Sequence, residues 1–300
     1  TELVTMYCNE NFSKNYSTEH LLEAIDVDIL KEYAKQPWGY SLSYYLAASN
    51  DCHPDYVKHL LAKKTLAVKS VNELLASLPA SNKLTFNREL IEKMYGEYQN
   101  IACNDADAYT KLAAEISGRK VLLLGPGASI INESEAVTEY ICKNNPVIIS
   151  INFIVDMYPI NFVFMGNSKR YSQFFHTMYN RSRDVKIIAT SNVTAAGKNI
   201  DYVFNVGKLL NDTDTVRDNP LLMMLQILSN VGCTDITIAG FDGYEQNAEE
   251  NYYNEYIPLL YCQDNVILRN GILADKIMAF SRAINISSIT KTKYMLNREV

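Results

Sequence analysis

The chain has 300 residues, 28 Lys and Arg against 34 Asp and Glu for a net charge of −6, and 48% hydrophobic residues. That length holds one large domain or two ordinary ones, and the apolar fraction, with only 12 Gly and 8 Pro, excludes a disordered, collagen-like or low-complexity protein. No run of Lys or Arg marks a nucleic-acid surface or a polybasic membrane patch, and no apolar run approaches the roughly 18–20 residues of a membrane span.

The chain opens on Thr1-Glu2 and a short apolar stretch, without the basic start and apolar centre of a signal peptide, so it is read as cut from a longer parent. Cys8, Cys52, Cys103, Cys142, Cys233 and Cys262 are scattered without CxxC spacing, which points to reduced thiols and a cytoplasmic location. His20, His53, His59 and His176 form no HxH or HExxH pair, so no metal site is expected in the chain. A small anionic ligand stays open, because a few local cations suffice to hold one.

From Thr1 to about Ser117 the pattern is helical. Ser17-Thr18-Glu19 precedes Leu21, Leu22, Ile25, Ile29 and Leu30 at three- and four-residue spacing, and Pro37-Trp38-Gly39 breaks the run. Further helices are predicted around 44–48, 54–62, 70–78, 87–99 and 105–116. At Gly118 the grammar changes to short apolar runs alternating with helix-like segments: 120–124, 147–151, 162–165, 186–189, 202–206 and 235–239. Such β-branched runs belong to strands buried on both faces of a mostly parallel sheet. Asn219-Pro220 starts a helix that Gly232 ends. Another helix is expected after Asn270, leading to a final strand over 286–289. The fold class is therefore α/β: a helical N-terminal region, 1–117, followed by a Rossmann-like, mostly parallel sheet domain, 118–300.

In doubly wound sheets ligands sit beyond the carboxyl ends of the strands. Gly125-Pro126-Gly127-Ala128-Ser129 follows the first strand, and its glycines would let backbone amides approach a phosphate while Ser129 adds a hydroxyl. The loop lacks the third glycine of GxGxxG, which falls at Ile130, and no Walker lysine follows, so a plain strand-to-helix turn fits it equally well. Asn152 ends the second strand, Asn167 the third, and Gly240-Phe241-Asp242-Gly243-Tyr244 a later one. Amides, a carboxylate and a phenol on one sheet edge suit a nucleotide, although each Asn alone is more often a turn or a cap.

GPGAS at 125–129, SIN at 150–152, FMGNS at 164–168 and AGFDGY at 239–244 resemble, in order and spacing, the nucleotide-binding domain of bacterial sialyltransferases and related glycosyltransferase-like proteins. The resemblance covers about 119–244. It implies that Gly125, Gly127, Ser129, Asn152 and Asn167 line a nucleotide such as the cytidine monophosphate of an activated sugar, with Asp242 and Tyr244 on the catalytic side. Arg217, before the Asn219-Pro220 helix start, either neutralises phosphate or forms a surface salt bridge. The stretch Tyr252-Tyr253-Asn254-Glu255-Tyr256 reads as a lid over a sugar or as tyrosines packing a loop. One departure matters. That family uses a histidine base downstream of the glycine-aspartate loop, and no histidine follows His176 here, so transfer would need Asp242, Glu245 or the substrate itself as the base. His176, in Phe174-Phe175-His176, reads as a helix residue.

The first half resembles another family. Thr1-Glu2-Leu3-Val4, Trp38-Gly39-Tyr40, Cys52-His53-Pro54-Asp55-Tyr56 and the run 66–75 are similar to the post-barrel tail of HMG-CoA-lyase-like aldolases, including 4-hydroxy-2-oxovalerate aldolases. This resemblance covers about 1–79 and concerns packing, so His53 is expected to be structural. The barrel, with its divalent metal, would precede Thr1. Together the two resemblances imply a nucleotide- or nucleotide-sugar-binding, glycosyltransferase-like domain from a bifunctional parent in surface polysaccharide biosynthesis. The alternative is an aldolase fragment whose C-terminal domain is regulatory or structural. In either case the chain itself needs no cofactor, binds no nucleic acid, and is free to form a homo-oligomer.

Overall fold

A computed structural model describes residues 2–25, 41–180, 185–193, 200–254, 257, 265–294 and 297–298. The break at Pro37-Trp38-Gly39 lies outside the described residues, as do Ile29, Leu30, Glu255, Tyr256, Cys262 and the side chains of His20 and His176.

The first part of the chain forms helices α1 (Glu2–Phe12), α2 (Thr18–Ala24), α3 (Leu42–Ser49), α4 (Pro54–Ala62), α5 (Val68–Ala76) and α6 (Arg88–Gln99). Several begin where side chains satisfy their first amides. Ser41 accepts from the Tyr44 amide, Asn87 from Leu90, and His53 Nδ1 from Asp55, with Pro54 at the first helical position. His53 is thus a helix cap beside Phe86, in keeping with a structural role. Tyr56, Leu60, Leu75 and Ile91 are fully buried at the centre of this helical core.

Helix α7 (Ala106–Ile116) departs from that grouping. Its Leu112 and Ile116 pack into the core of the sheet, whereas the core of the first helices ends with Tyr98. The strands are β1 (Val121–Leu124), β2 (Val147–Ile151), β3 (Phe162–Met165), β4 (Lys186–Thr190), β5 (Tyr202–Phe204), β6 (Asp235–Ala239), β7 (Asn285–Ser288) and β8 (Asn297–Arg298). They pair in the order β5-β4-β3-β2-β1-β6-β7-β8, parallel throughout. Every residue of β1, β2 and β3 is buried, as their unbroken apolar runs require of strands covered on both faces. One face carries α8 (Ser129–Asn132), α9 (Ser134–Asn144) and α10 (Ser168–Asn180), through Ile130, Val137, Tyr140 and Tyr171. The other carries α7, α11 (Pro220–Asn230) and α12 (Val266–Phe280). The chain is therefore α/β with a Rossmann-like parallel sheet, as its sequence predicts.

Two boundaries differ from expectation. Helix α12 starts at Val266 rather than after Asn270, and the last strand is followed by β8, too short to show as an apolar run. Among the described residues no helix is long and apolar enough to cross a membrane. Strands β1 and β6 lie side by side, yet the helices after them go to opposite faces. Their loops diverge at the carboxyl edge, which is where such sheets open a crevice.

Candidate functional site

At that edge lies a cleft enclosing about 970 Å3, solvent at its mouth included. Its walls come from the loops after β1, β2, β3 and β6, the start of α11, Tyr252, Arg269 of α12, and Thr65 from the helical part.

The glycine loop forms its floor. Gly125 N donates to Ala239 O and Gly127 N to Gly240 O, both at 2.8 Å, so the β1 and β6 loops are sewn together backbone to backbone. Glycine is needed for that approach: a Cβ on Gly125 would lie 2.6 Å from Gly240 O, and one on Gly127 equally close to Gly240 O and to Asp242 Oδ1. Two residues after Gly127, the Ser129 amide donates to Asp242 Oδ2 at 2.9 Å, and the Ser129 hydroxyl donates to Asp242 Oδ1. Thr290 completes the knot, 2.9 Å from Ser129 Oγ and accepting from Gly240 N at the same distance. The amides of Gly127 and Ser129 are therefore already satisfied, the latter by the protein's own carboxylate.

The asparagines serve the backbone and also face the cleft. Asn152, in the left-handed region with φ 58°, accepts from Gly166 N at 2.8 Å and ties the end of β2 to that of β3. Asn167 accepts from Arg170 N at 2.9 Å and so caps α10. Asn219 caps α11 by accepting from Leu221 N and Leu222 N, and its amide lies 3.4 Å from the Tyr244 hydroxyl. Tyr244 is held from below: Asn270 of α12 accepts from its N–H at 2.8 Å and donates to its carbonyl at 2.9 Å.

Besides Asp242, three residues bring charge to the cleft. Arg170, 4% exposed, lies 5.5 Å from the Tyr252 ring and donates to Gln173 at 2.8 Å. Burial lowers its pKa against the opposing influence of Tyr252, but a guanidinium stays protonated across the working range. Arg269 lies 5.6 Å from the Tyr244 ring. Burial pushes the Tyr244 and Tyr252 phenols upward, so both are neutral hydrogen-bonding groups. Asp218, just before the Asn219 cap, is exposed and lines the cleft. Desolvation there raises its carboxyl pKa above the usual range, although its own amide, Arg269 and Arg217 pull it down.

Of the residues singled out in the sequence, Gly127, Asn152, Asn167, Asp242 and Tyr244 line the cleft. Gly125 and Ser129 lie beneath it, in the seam between the two loops. Arg217 is outside the lining and 3.8 Å from Asp214, the surface-pair alternative. Glu245 pairs with Lys293 at 2.7 Å outside the lining. Tyr253 donates its amide to Pro126 O at 2.9 Å and packs edge-on against Phe153, tying the tyrosine stretch to the glycine loop. Arg170, Asp218, Tyr252 as a partner of Arg170, and Arg269 were not assigned roles from sequence. The one signal in the sequence is position at the carboxyl edge: Asp218 directly precedes the Asn219 cap, and Arg170 follows the Asn167 cap by three residues. Among the described residues no group of three or more His, Cys, Asp or Glu is arranged to hold a metal ion. Comparisons with family models, characterised proteins and solved structures return no match for this chain.

Proposed function

We propose that the cleft binds a nucleotide or nucleotide-sugar and that the sheet domain is glycosyltransferase-like. The observation that carries this reading is the convergence of Arg170, Arg269 and Asp218 on one cleft at the divergence of β1 and β6. Two guanidinium groups offer forked donors to a phosphate or diphosphate. Asn152, Asn167 and Asn219 add amide edges, and Tyr244 and Tyr252 add aromatic faces, for a base, a ribose or a sugar. In this reading the arginines hold the phosphate, because the Ser129 amide is already taken by Asp242. The glycine loop sets the floor against which the ligand lies.

Calorimetric titration with cytidine, uridine and guanosine nucleotides tests the proposal. At least one base should bind at millimolar concentration or better, and Arg170→Ala should weaken it about tenfold or more, as expected for loss of a charge-assisted hydrogen bond. Absence of binding by all three bases at millimolar concentration ends the reading.

A further inference from the structure

Two carboxylates line the cleft, Asp218 and Asp242, and their surroundings differ. Asp242 has both oxygens committed to Ser129. A proton arriving there would disrupt the seam between the β1 and β6 loops. Among the described residues the Asp218 carboxyl forms no ion pair within 4 Å and has only its own amide as a hydrogen-bond donor. It is exposed to the cleft and stands at the start of α11, on a wall built by Val216, Asn219 and Pro220. The charged and titratable groups that face it are Arg217 beside it, Arg269 on α12, Tyr95 on α6 and Tyr244 after β6.

We propose that Asp218 is the general base of a glycosyl transfer in this cleft, taking the proton of an acceptor hydroxyl as that oxygen attacks the anomeric carbon of a nucleotide-sugar. The inference rests on the reading above. In the step, the acceptor O–H bond breaks and its proton passes to the Asp218 carboxylate. A new bond forms from the acceptor oxygen to the anomeric carbon, and the bond from that carbon to the phosphate oxygen breaks. The nucleotide leaves as the phosphate anion, next to Arg170 and Arg269. With water as the acceptor the same step is donor hydrolysis. Desolvation supports Asp218 in this role, since a carboxylate with a raised pKa is a stronger base.

The test pairs binding with turnover, using the full chain, Asp218→Asn, and a panel of cytidine monophosphate-, uridine diphosphate- and guanosine diphosphate-sugars. Release of free nucleotide is followed against pH. Asn is isosteric, and Asp218 is exposed and forms no ion pair within 4 Å among the described residues, so the variant should unfold within a few degrees of the parent chain. Expected is a donor affinity within a few-fold of the parent and a loss of about 100-fold or more in release rate. The pH-rate limb that rises as a carboxyl ionises should vanish in Asp218→Asn and return with Asp218→Glu. Equal turnover by both proteins, a limb that survives in Asp218→Asn, or donor binding without turnover by the parent chain overturns the assignment. Failure of every donor and nucleotide to bind overturns instead the reading on which it rests.

Discussion

A methyl group on Gly127 would lie 2.6 Å from both Asp242 Oδ1 and Gly240 O, and neither can retreat freely. The carbonyl belongs to the backbone seam, and the carboxylate is held by the Ser129 amide at 2.9 Å. Gly127→Ala should therefore pry the two loops apart at a cost of about 1–3 kcal/mol, the usual range for overpacking. Thermal unfolding would show the loss as a midpoint lower by several degrees; an unchanged midpoint would mean that the seam is loose. Gly125, Gly127, Asp242 and Tyr244 were legible in the sequence because turn chemistry at strand ends announces itself in residue type. The partnership of Asp242 with Ser129 was not, since it joins positions 113 residues apart. Arg170 and Asp218 were harder still. A charged residue in a helix's first turn, or before its cap, looks like any solvated surface residue until the wall opposite it is known.

At the scale of whole elements, the parallel strands were legible because burial on both faces leaves unbroken apolar runs, as in Val121–Leu124. Helix α11 was equally plain from Asn219-Pro220 at one end and Gly232, φ 76°, just past the other. Helix α12 hid its start. Asn265 precedes it in the left-handed region with no side-chain cap, while Asn270, whose residue type favours helix ends, lies inside the helix and gives its amide to Tyr244. That tertiary bond repays the poor local preference. It also fixes where the Tyr244 ring stands in the cleft. Asn270→Ala should leave both Tyr244 backbone groups without this partner, costing about 1–3 kcal/mol. Nucleotide affinity should fall with it, although Asn270 does not line the cleft. Affinity measured on the folded variant decides the point: if stability drops and binding does not, Tyr244 is positioned by other contacts.

The helical part and the sheet domain meet through a buried polar joint that also sets one wall of the cleft. Ser168, 2% exposed at the start of α10, accepts from Ala67 N at 3.0 Å and lies 3.3 Å from the Ser70 hydroxyl. The Tyr98 hydroxyl, from α6, donates to Asn192 O at 2.8 Å beyond β4 and lies 3.0 Å from Ser70. Thr65 O accepts from Lys169 N at 3.2 Å, and Thr65 itself lines the cleft. Ser168 thus shares its helical turn with the Asn167 cap and with Arg170, so the joint and the guanidinium are parts of one rigid corner. Such networks couple their members. Ser168→Ala and Tyr98→Phe should each cost about 1–3 kcal/mol, because each leaves a buried amide or carbonyl without its partner. Together they should cost less than the sum, since either change alone weakens the groups the other engages. Both should also weaken nucleotide binding by shifting Arg170 and Thr65, without touching the ligand. A double-mutant cycle in unfolding free energy, run beside titrations of the same four proteins, measures both effects. Strict additivity with unaltered affinity would reduce the helical part to a passive neighbour. Coupled stability with weakened binding would make it part of the site, and the cleft a property of the whole chain rather than of its sheet alone.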